Sequence, residues 1–234
     1  MFELGPDVPE KIVLCLDLCQ EEDPPLFEVS NGKKYSQSYM IKRASQFFCR
    51  LKLTLDKKHK IAIVGLTKTA ILLQTLTSEI TELNKAIDEL PEPENYESFE
   101  MESLLEMVNE MTLESPHHID SDQVPSIIRV VFIYGRSNII PTVNEESIGY
   151  LNNVPAFFMD MLYIHKEPED ENNVMAIYEI LKAFNTKRRS YLLQTNLNAT
   201  KLHNEMGKLT AHPLQRCPQA SATWSLSVGK ENIK

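Results

Sequence analysis

Lys11 to Asp23 reads KIVLCLDLCQEED. The apolar run Ile12 to Leu16 ends on Asp17, and Cys19 and Glu21 follow at steps of two. A buried strand that delivers an aspartate to its carboxyl end is how several α/β folds begin a ligand site. A divalent cation held there wants hard oxygen ligands, and the pattern D-x-S-x-S supplies a carboxylate and two hydroxyls. Here a thiol and a second carboxylate, Cys19 and Glu21, stand in the hydroxyl positions. The stretch is a metal site, a damaged metal site, or something else.

The other chemically active residue types make a thin set. His117 and His118 with Asp120 and Asp122 have ligand-like spacing, but a proline-bounded loop reads as solvated surface. His165 closes an apolar run with no nucleophile or second acid near it in sequence. Asp160 lies inside that run, so it reads as a buried carboxylate tied to a basic group or a helix N-terminus. The seven glycines, at 5, 32, 65, 135, 149, 207 and 229, are never neighbours. That argues against a Rossmann fingerprint or a P-loop, whose backbone must approach an anion closely. Neither a G-x-S-x-G elbow nor an H-E-x-x-H helix is present. No residue is assigned a catalytic role.

These residues need elements to position them. Short apolar runs at Ile12–Leu16, Ile61–Val64, Ile127–Tyr134, Ala156–Ile164 and Tyr191–Leu193 suit strands covered on both faces. Between them lie stripes at steps of three and four: Met40 to Leu55, Ile80 to Leu90, Met101 to Met111, Val174 to Phe184 and Ala199 to Leu209. Ser78 and Asn198 are the expected N-caps of the second and last, and Pro91 the stop of the second. Ala70–Leu76 follows its predecessor too closely for a crossover helix and is expected to return antiparallel. The alternation predicts an α/β fold: a mostly parallel sheet with one antiparallel edge strand and helices on both faces. Pro91–Glu100 and Ser115–Pro125 read as surface loops. After Ala211 the periodicity stops, although Leu214, Trp224, Leu226 and Val228 remain. Residues 10–210 are expected to form the domain and 211–234 an extended tail that docks on a partner, so deleting 212–234 should leave the domain folded.

Composition narrows the function classes. A chain of 234 residues with net charge −9 is a poor match for nucleic-acid phosphates. No apolar run approaches the roughly 20 residues that span a bilayer, and the first residues show no signal-peptide pattern. Cys15 and Cys49 fall at core positions, and Cys15 and Cys19 lack zinc-finger spacing. Cytoplasmic and nuclear residence is expected.

Strand, acidic turn, long helix, hairpin and then strand–helix alternation resemble a von Willebrand factor A domain, a Rossmann-type fold, over roughly residues 10 to 210. That family's metal site takes D-x-S-x-S, then a threonine, then an aspartate from three loops. Asp17 is retained, Cys19 and Glu21 replace the serines, the region around Tyr96–Phe99 has no threonine, and FIYGRS puts Gly135 and Arg136 where the last acid belongs. A guanidinium there repels a cation, so no metal or other cofactor is expected. Arg136 is expected to pair with Asp17 or Glu21 and fill the ion's place. KIVLCLDL, FIYGRS, PAFFMDMLYIHKEPEDE and LHNEMGKLTAHPLQR together resemble, more narrowly, the small von Willebrand A-like subunit of the BRISC and BRCA-A deubiquitinase assemblies.

The narrower resemblance implies a non-catalytic scaffold. Such a subunit binds a neighbour built from ubiquitin-conjugating-enzyme-variant domains, of the brain and reproductive organ-expressed type. Through it the subunit stabilises a zinc-dependent peptidase, specific for lysine-63-linked ubiquitin, and that peptidase's pseudo-enzyme scaffold. The family's P-x-x-R element, matched by Pro213, Leu214 and Arg216, is implied to insert into the neighbour, with Trp224 beside it. The alternative is a metal-dependent von Willebrand A adhesion or chelatase-like module.

Overall fold

The structure, a computed structural model, describes residues 7–222 apart from 23, 25, 30–31, 114–125, 145, 148, 150–153, 155 and 185–188. His117, His118, Asp120, Asp122 and Trp224 therefore lie outside the described residues.

Six strands form the main sheet: β1 (Glu10–Asp17), β4 (Lys60–Leu66), β5 (Ala70–Thr77), β7 (Ile127–Tyr134), β9 (Phe157–Ile164) and β10 (Leu192–Thr195). Their order is β10-β9-β7-β1-β4-β5, parallel throughout except for β5, which returns antiparallel to β4 as its short connection requires. Two small pairs complete the strands: β2 (Leu26–Glu28) with β3 (Lys34–Ser36), and β6 (Phe99–Glu100) with β8 (Pro141–Thr142).

The period of two in β1 explains why both faces are covered. Ile12, Leu14 and Leu16 join one core, and Val13 and Cys15 join the other. The first core is closed by α1 (Gln37–Leu55), α2 (Ile80–Asp88) and α5 (Ala199–Lys208). The second is closed by α3 (Met101–Leu113) and α4 (Val174–Phe184). Met40, Ala44, Phe48 and Cys49 form the buried stripe of α1, each worth roughly 1 to 3 kcal/mol in proportion to the apolar area it hides. Ser36 caps α1 by accepting the Tyr39 N–H, and Asn198 caps α5 by accepting the Lys201 N–H. Ser78 is not a cap: α2 begins after Glu79, whose side chain makes no capping bond.

The first part of the segment after the last helix has contacts of its own. Residues 211–222 lie against the domain. His212 Nε2 donates to Val8 O at 3.0 Å, Tyr191 donates its hydroxyl to Cys217 O at 2.6 Å, and the Gln219 amide bonds both Leu192 N and Leu192 O on the outer edge of β10. One glutamine side chain thereby takes the place of a neighbouring strand residue. The pattern of apolar steps stops at 211 because side-chain and backbone hydrogen bonds, which leave no hydrophobic period, carry the contact from there.

Candidate functional site

The strand order turns about β1, whose neighbours β7 and β4 lie on opposite sides of it. The crevice beyond its carboxyl end is where ligands of open α/β sheets bind. Asp17 ends β1 there, Leu66 ends β4, and Gly135 and Arg136 follow β7. A cleft of about 120 Å³ there is lined by Asp17 and Gly135 with Cys19, Gln20, Glu21, Gln37, Glu92 and Pro93.

Arg136 does not line this cleft; it is fully buried and bonded to the Asp17 that does. Its Nε donates to Asp17 Oδ1 at 3.0 Å and Oδ2 at 3.2 Å. Nη2 donates to Leu66 O at 3.0 Å and Thr67 O at 2.6 Å, and Nη1 to Ser98 O at 3.1 Å. The guanidinium carbon also lies 5.2 Å from the Phe99 ring centre and 5.4 Å from that of Tyr134. Burial alone would push this guanidinium's pKa down, but Asp17 and Tyr134 more than offset it and raise it. Arg136 is fully buried and stays charged.

The two acids of the opening stretch divide the work. Asp17 Oδ2 accepts the Gly135 N–H at 2.8 Å, while Oδ1 accepts the Cys19 N–H at 3.0 Å. Glu21 Oε1 accepts the N–H groups of Ser137 and Asn138 at 2.9 and 2.7 Å. Cys19 sits between them, buried, with its thiol 3.8 Å from Tyr96 O; burial raises its pKa, so it is a poor nucleophile. Asp17, Cys19, Glu21 and Arg136 are thus brought together, and the Arg136–Asp17 alternative is the one realised, with Glu21 on the backbone of the same loop. The segment 94–98, read from sequence as surface loop, is a wall of this site. Glu94 bridges Cys19, and Ser98 O receives Arg136. Among the described residues, no group of three or more His, Cys, Asp or Glu side chains is placed to hold a metal ion. His165 stands apart, its ring 4.9 Å from that of Tyr163 and its Nδ1 2.6 Å from Lys166 O.

A second charged cluster lies at the opposite end of the strands. Glu10 bonds Lys52 and, at 2.8 Å, Arg129; Arg129 bonds Asp160 at 2.6 to 2.7 Å; Asp160 bonds Arg216 and the Tyr191 N–H. All five charged side chains are buried. Three cations face two carboxylates, and the carbonyl oxygens of Leu209, Thr210 and Ala211, at the negative end of α5, take the remaining donors of Lys52 and Arg129. The expectation that Asp160 is a buried carboxylate tied to a basic group holds. Glu10, Lys52 and Arg129 went unmarked, although a charge inside an apolar strand or on the apolar stripe of a helix is a readable sign.

Pro213 is buried, and Leu214 packs partly exposed against Val8, Ile127 and Phe158. Arg216 is committed within its own domain: besides Asp160, its Nε donates to Arg189 O at 2.7 Å and its guanidinium carbon lies 4.0 Å from the Tyr191 ring centre. Its Nη1 has no hydrogen-bond partner among the described residues. Gln215 and Cys217 face solvent.

No family model matches the chain. The human (Homo sapiens) protein called BRISC and BRCA1-A complex member 1 is 32% identical over 225 residues, which cover 93% of this chain and 68% of that protein. The Xenopus tropicalis protein of the same name is 32% identical over 224 residues, covering 93% and 70%. Among solved structures, the SpRpn10 VWA domain matches 86% of this chain and 95% of its own, with TM-score 0.57 and 12% identity. The von Willebrand factor type A structure from Catenulispora acidiphila matches 88% and 43%, with TM-score 0.55 and 12% identity. The structural matches establish the fold as von Willebrand A.

Proposed function

The chain belongs to the BRISC and BRCA1-A complex member 1 family, and from that premise we propose that it is a non-catalytic subunit of a deubiquitinase assembly. It binds the ubiquitin-conjugating-enzyme-variant subunit, of the brain and reproductive organ-expressed type. By that contact it stabilises the zinc-dependent, lysine-63-specific peptidase and its pseudo-enzyme scaffold. It works in cytoplasm and nucleus without touching nucleic acid or membrane; no helix among the described residues is long and apolar enough to cross one.

The observation that carries this reading is Arg136. Its fixed positive charge, held by five hydrogen bonds to Asp17, Leu66, Thr67 and Ser98, sits on the Asp17 carboxylate that a cation in this crevice would need. Function then falls to the outer surfaces. Pro213 and Arg216 hold the segment 211–222 in place, Leu214 offers a partly exposed apolar side chain, and Trp224 follows along the chain. In this reading Pro213 and Arg216 present the segment from within, and Leu214 with Trp224 makes the contact with the ubiquitin-variant subunit.

Mixing the purified chain with the ubiquitin-variant subunit should give one co-eluting species on gel filtration, and the isolated chain should leave lysine-63-linked ubiquitin uncut. Separate elution of the two proteins, or cleavage by the chain alone, would reject the proposal.

A further inference from the structure

Helix α1 contains no Asp or Glu in its 19 residues, in a chain with 33 acids against 24 bases. Its solvent face carries Tyr39, Arg43, Phe47 and Arg50, at steps of four, four and three, so they form one line along the helix. Tyr39 is 44% exposed and Phe47 40%. The line continues sideways onto α5, where the His203 ring meets Phe47 edge-on at 6.3 Å and Lys201 is exposed.

The charges along this line are unspent. Among the described residues neither Arg43 nor Arg50 has an ion-pair partner. Two acids on the flanking elements are already engaged: Asp88 of α2 accepts the Gln46 amide at 2.8 Å, and Glu205 of α5 holds Lys208 at 2.7 Å. The other helical layer has the opposite sign, with Glu102, Glu106 and Glu110 along α3. Exposed aromatic rings set between arginines form the residue mix that supplies most of the binding energy in protein interfaces.

We propose that the outer face of α1 and α5 is a docking surface for an acidic protein face. Carboxylates of the partner pair with Arg43 and Arg50, and an apolar contact covers Phe47. Charge complementarity selects the occupant. A net charge of −9 opposes anionic lipid and nucleic acid as a whole, whereas a protein can bring a few carboxylates to a local basic line. The inference rests on the reading of the chain as a partner of the ubiquitin-variant subunit, and that subunit supplies the acidic face.

Calorimetric titration of the full chain with the purified ubiquitin-variant subunit tests it. Arg43→Glu with Arg50→Glu should weaken binding by about tenfold or more, and Phe47→Ala by a similar factor. The wild-type affinity should fall as salt rises from about 0.05 to 0.5 M, and the doubly reversed chain should lose that dependence. Circular dichroism melts of the arginine variants should match the wild type, because Arg43 and Arg50 are exposed; Arg43→Gln with Arg50→Gln gives the same comparison without reversed charge. Unchanged affinity and salt dependence in both double variants would overturn the docking face while leaving the subunit role standing. Absence of any binding by the wild-type chain would overturn both, and concentration-dependent self-association that the reversal abolishes would replace the partner with a second copy.

Discussion

Arg136 and Asp17 form a closed pair: the guanidinium Nε bonds both carboxylate oxygens, at 3.0 and 3.2 Å, and neither side chain meets solvent appreciably. The pair joins the loops after β1 and β7 across the point where an ion would otherwise hold them. A fixed organic cation thus bridges the two loops.

Arg136→Ala should cost the fold about 3 to 5 kcal/mol, because it strands a buried carboxylate and leaves the carbonyls of Leu66, Thr67 and Ser98 unbonded. Urea unfolding measures the loss. In parallel, millimolar magnesium or manganese should leave the wild-type melting temperature unchanged, since an ion that bound the folded state would raise it. A metal-dependent rise would place an ion in the crevice after all.

Acid should weaken the protein in two stages. Burial pushes the imidazoles of His59 and His212 down, and each uses its Nδ1 as an acceptor, from Glu10 N–H and Leu214 N–H. The unfolded histidines therefore take up protons first, and stability falls as pH drops below about 6.5. Burial also pushes the Glu10 carboxyl up, but Arg129 and Lys52 more than offset it and hold it at about 2 against an ordinary 4.5. Its contribution, on the order of 3 kcal/mol, is complete above pH 4.5 and drains between there and pH 2. Glu10→Gln should be less stable at pH 7 and show a flatter acid limb below pH 4.5 in urea midpoints; an acid limb like the wild type's would assign the acid sensitivity elsewhere.

Two glycines make a contrasting pair. A Cβ on Gly65 would meet Leu18 Cδ1 at 2.6 Å, Ile71 Cγ1 at 3.1 Å and Leu73 Cδ1 at 3.2 Å, all packed side chains. Gly65→Ala should cost about 1 to 3 kcal/mol. The nearest atoms to a Cβ on Gly135 all belong to the end of Gln37, whose amide can swing away at the loss of one hydrogen bond to Gly135 O, about 1 kcal/mol. Equal melting temperatures for the two variants would contradict this ordering.

Deleting 212–234 should destabilise the domain rather than merely detach a tail. It removes Arg216 from Asp160, His212 from Val8 and Gln219 from the edge of β10. Arg216→Ala alone should cost about 1.5 to 3 kcal/mol of folding stability, the range for a hydrogen bond to a charged group, because Arg129 and the Tyr191 N–H remain on Asp160. A truncated chain with an unchanged melt would restore 210 as the end of the folded unit.

The sequence by itself determined the layers and which residue types stand at the carboxyl ends of the strands. Runs such as IVLCL and IIRVVFIY, separated by stripes such as Met40 to Leu55, state which residues must be covered on which sides, since hydrophobic burial leaves a period. The types at Asp17, Cys19, Glu21 and Arg136 likewise fix which charges reach the rim. Tertiary structure alone decided the pairings. Glu10, Lys52, Arg129, Asp160 and Arg216 are scattered over some two hundred positions and meet only because four elements and the chain's end converge. Hydrogen bonds and ion pairs of that kind depend on distance and direction between remote segments, so they leave no local period. The same reason hid the docking of residues 211–222, whose contacts run through polar groups of His212, Arg216 and Gln219.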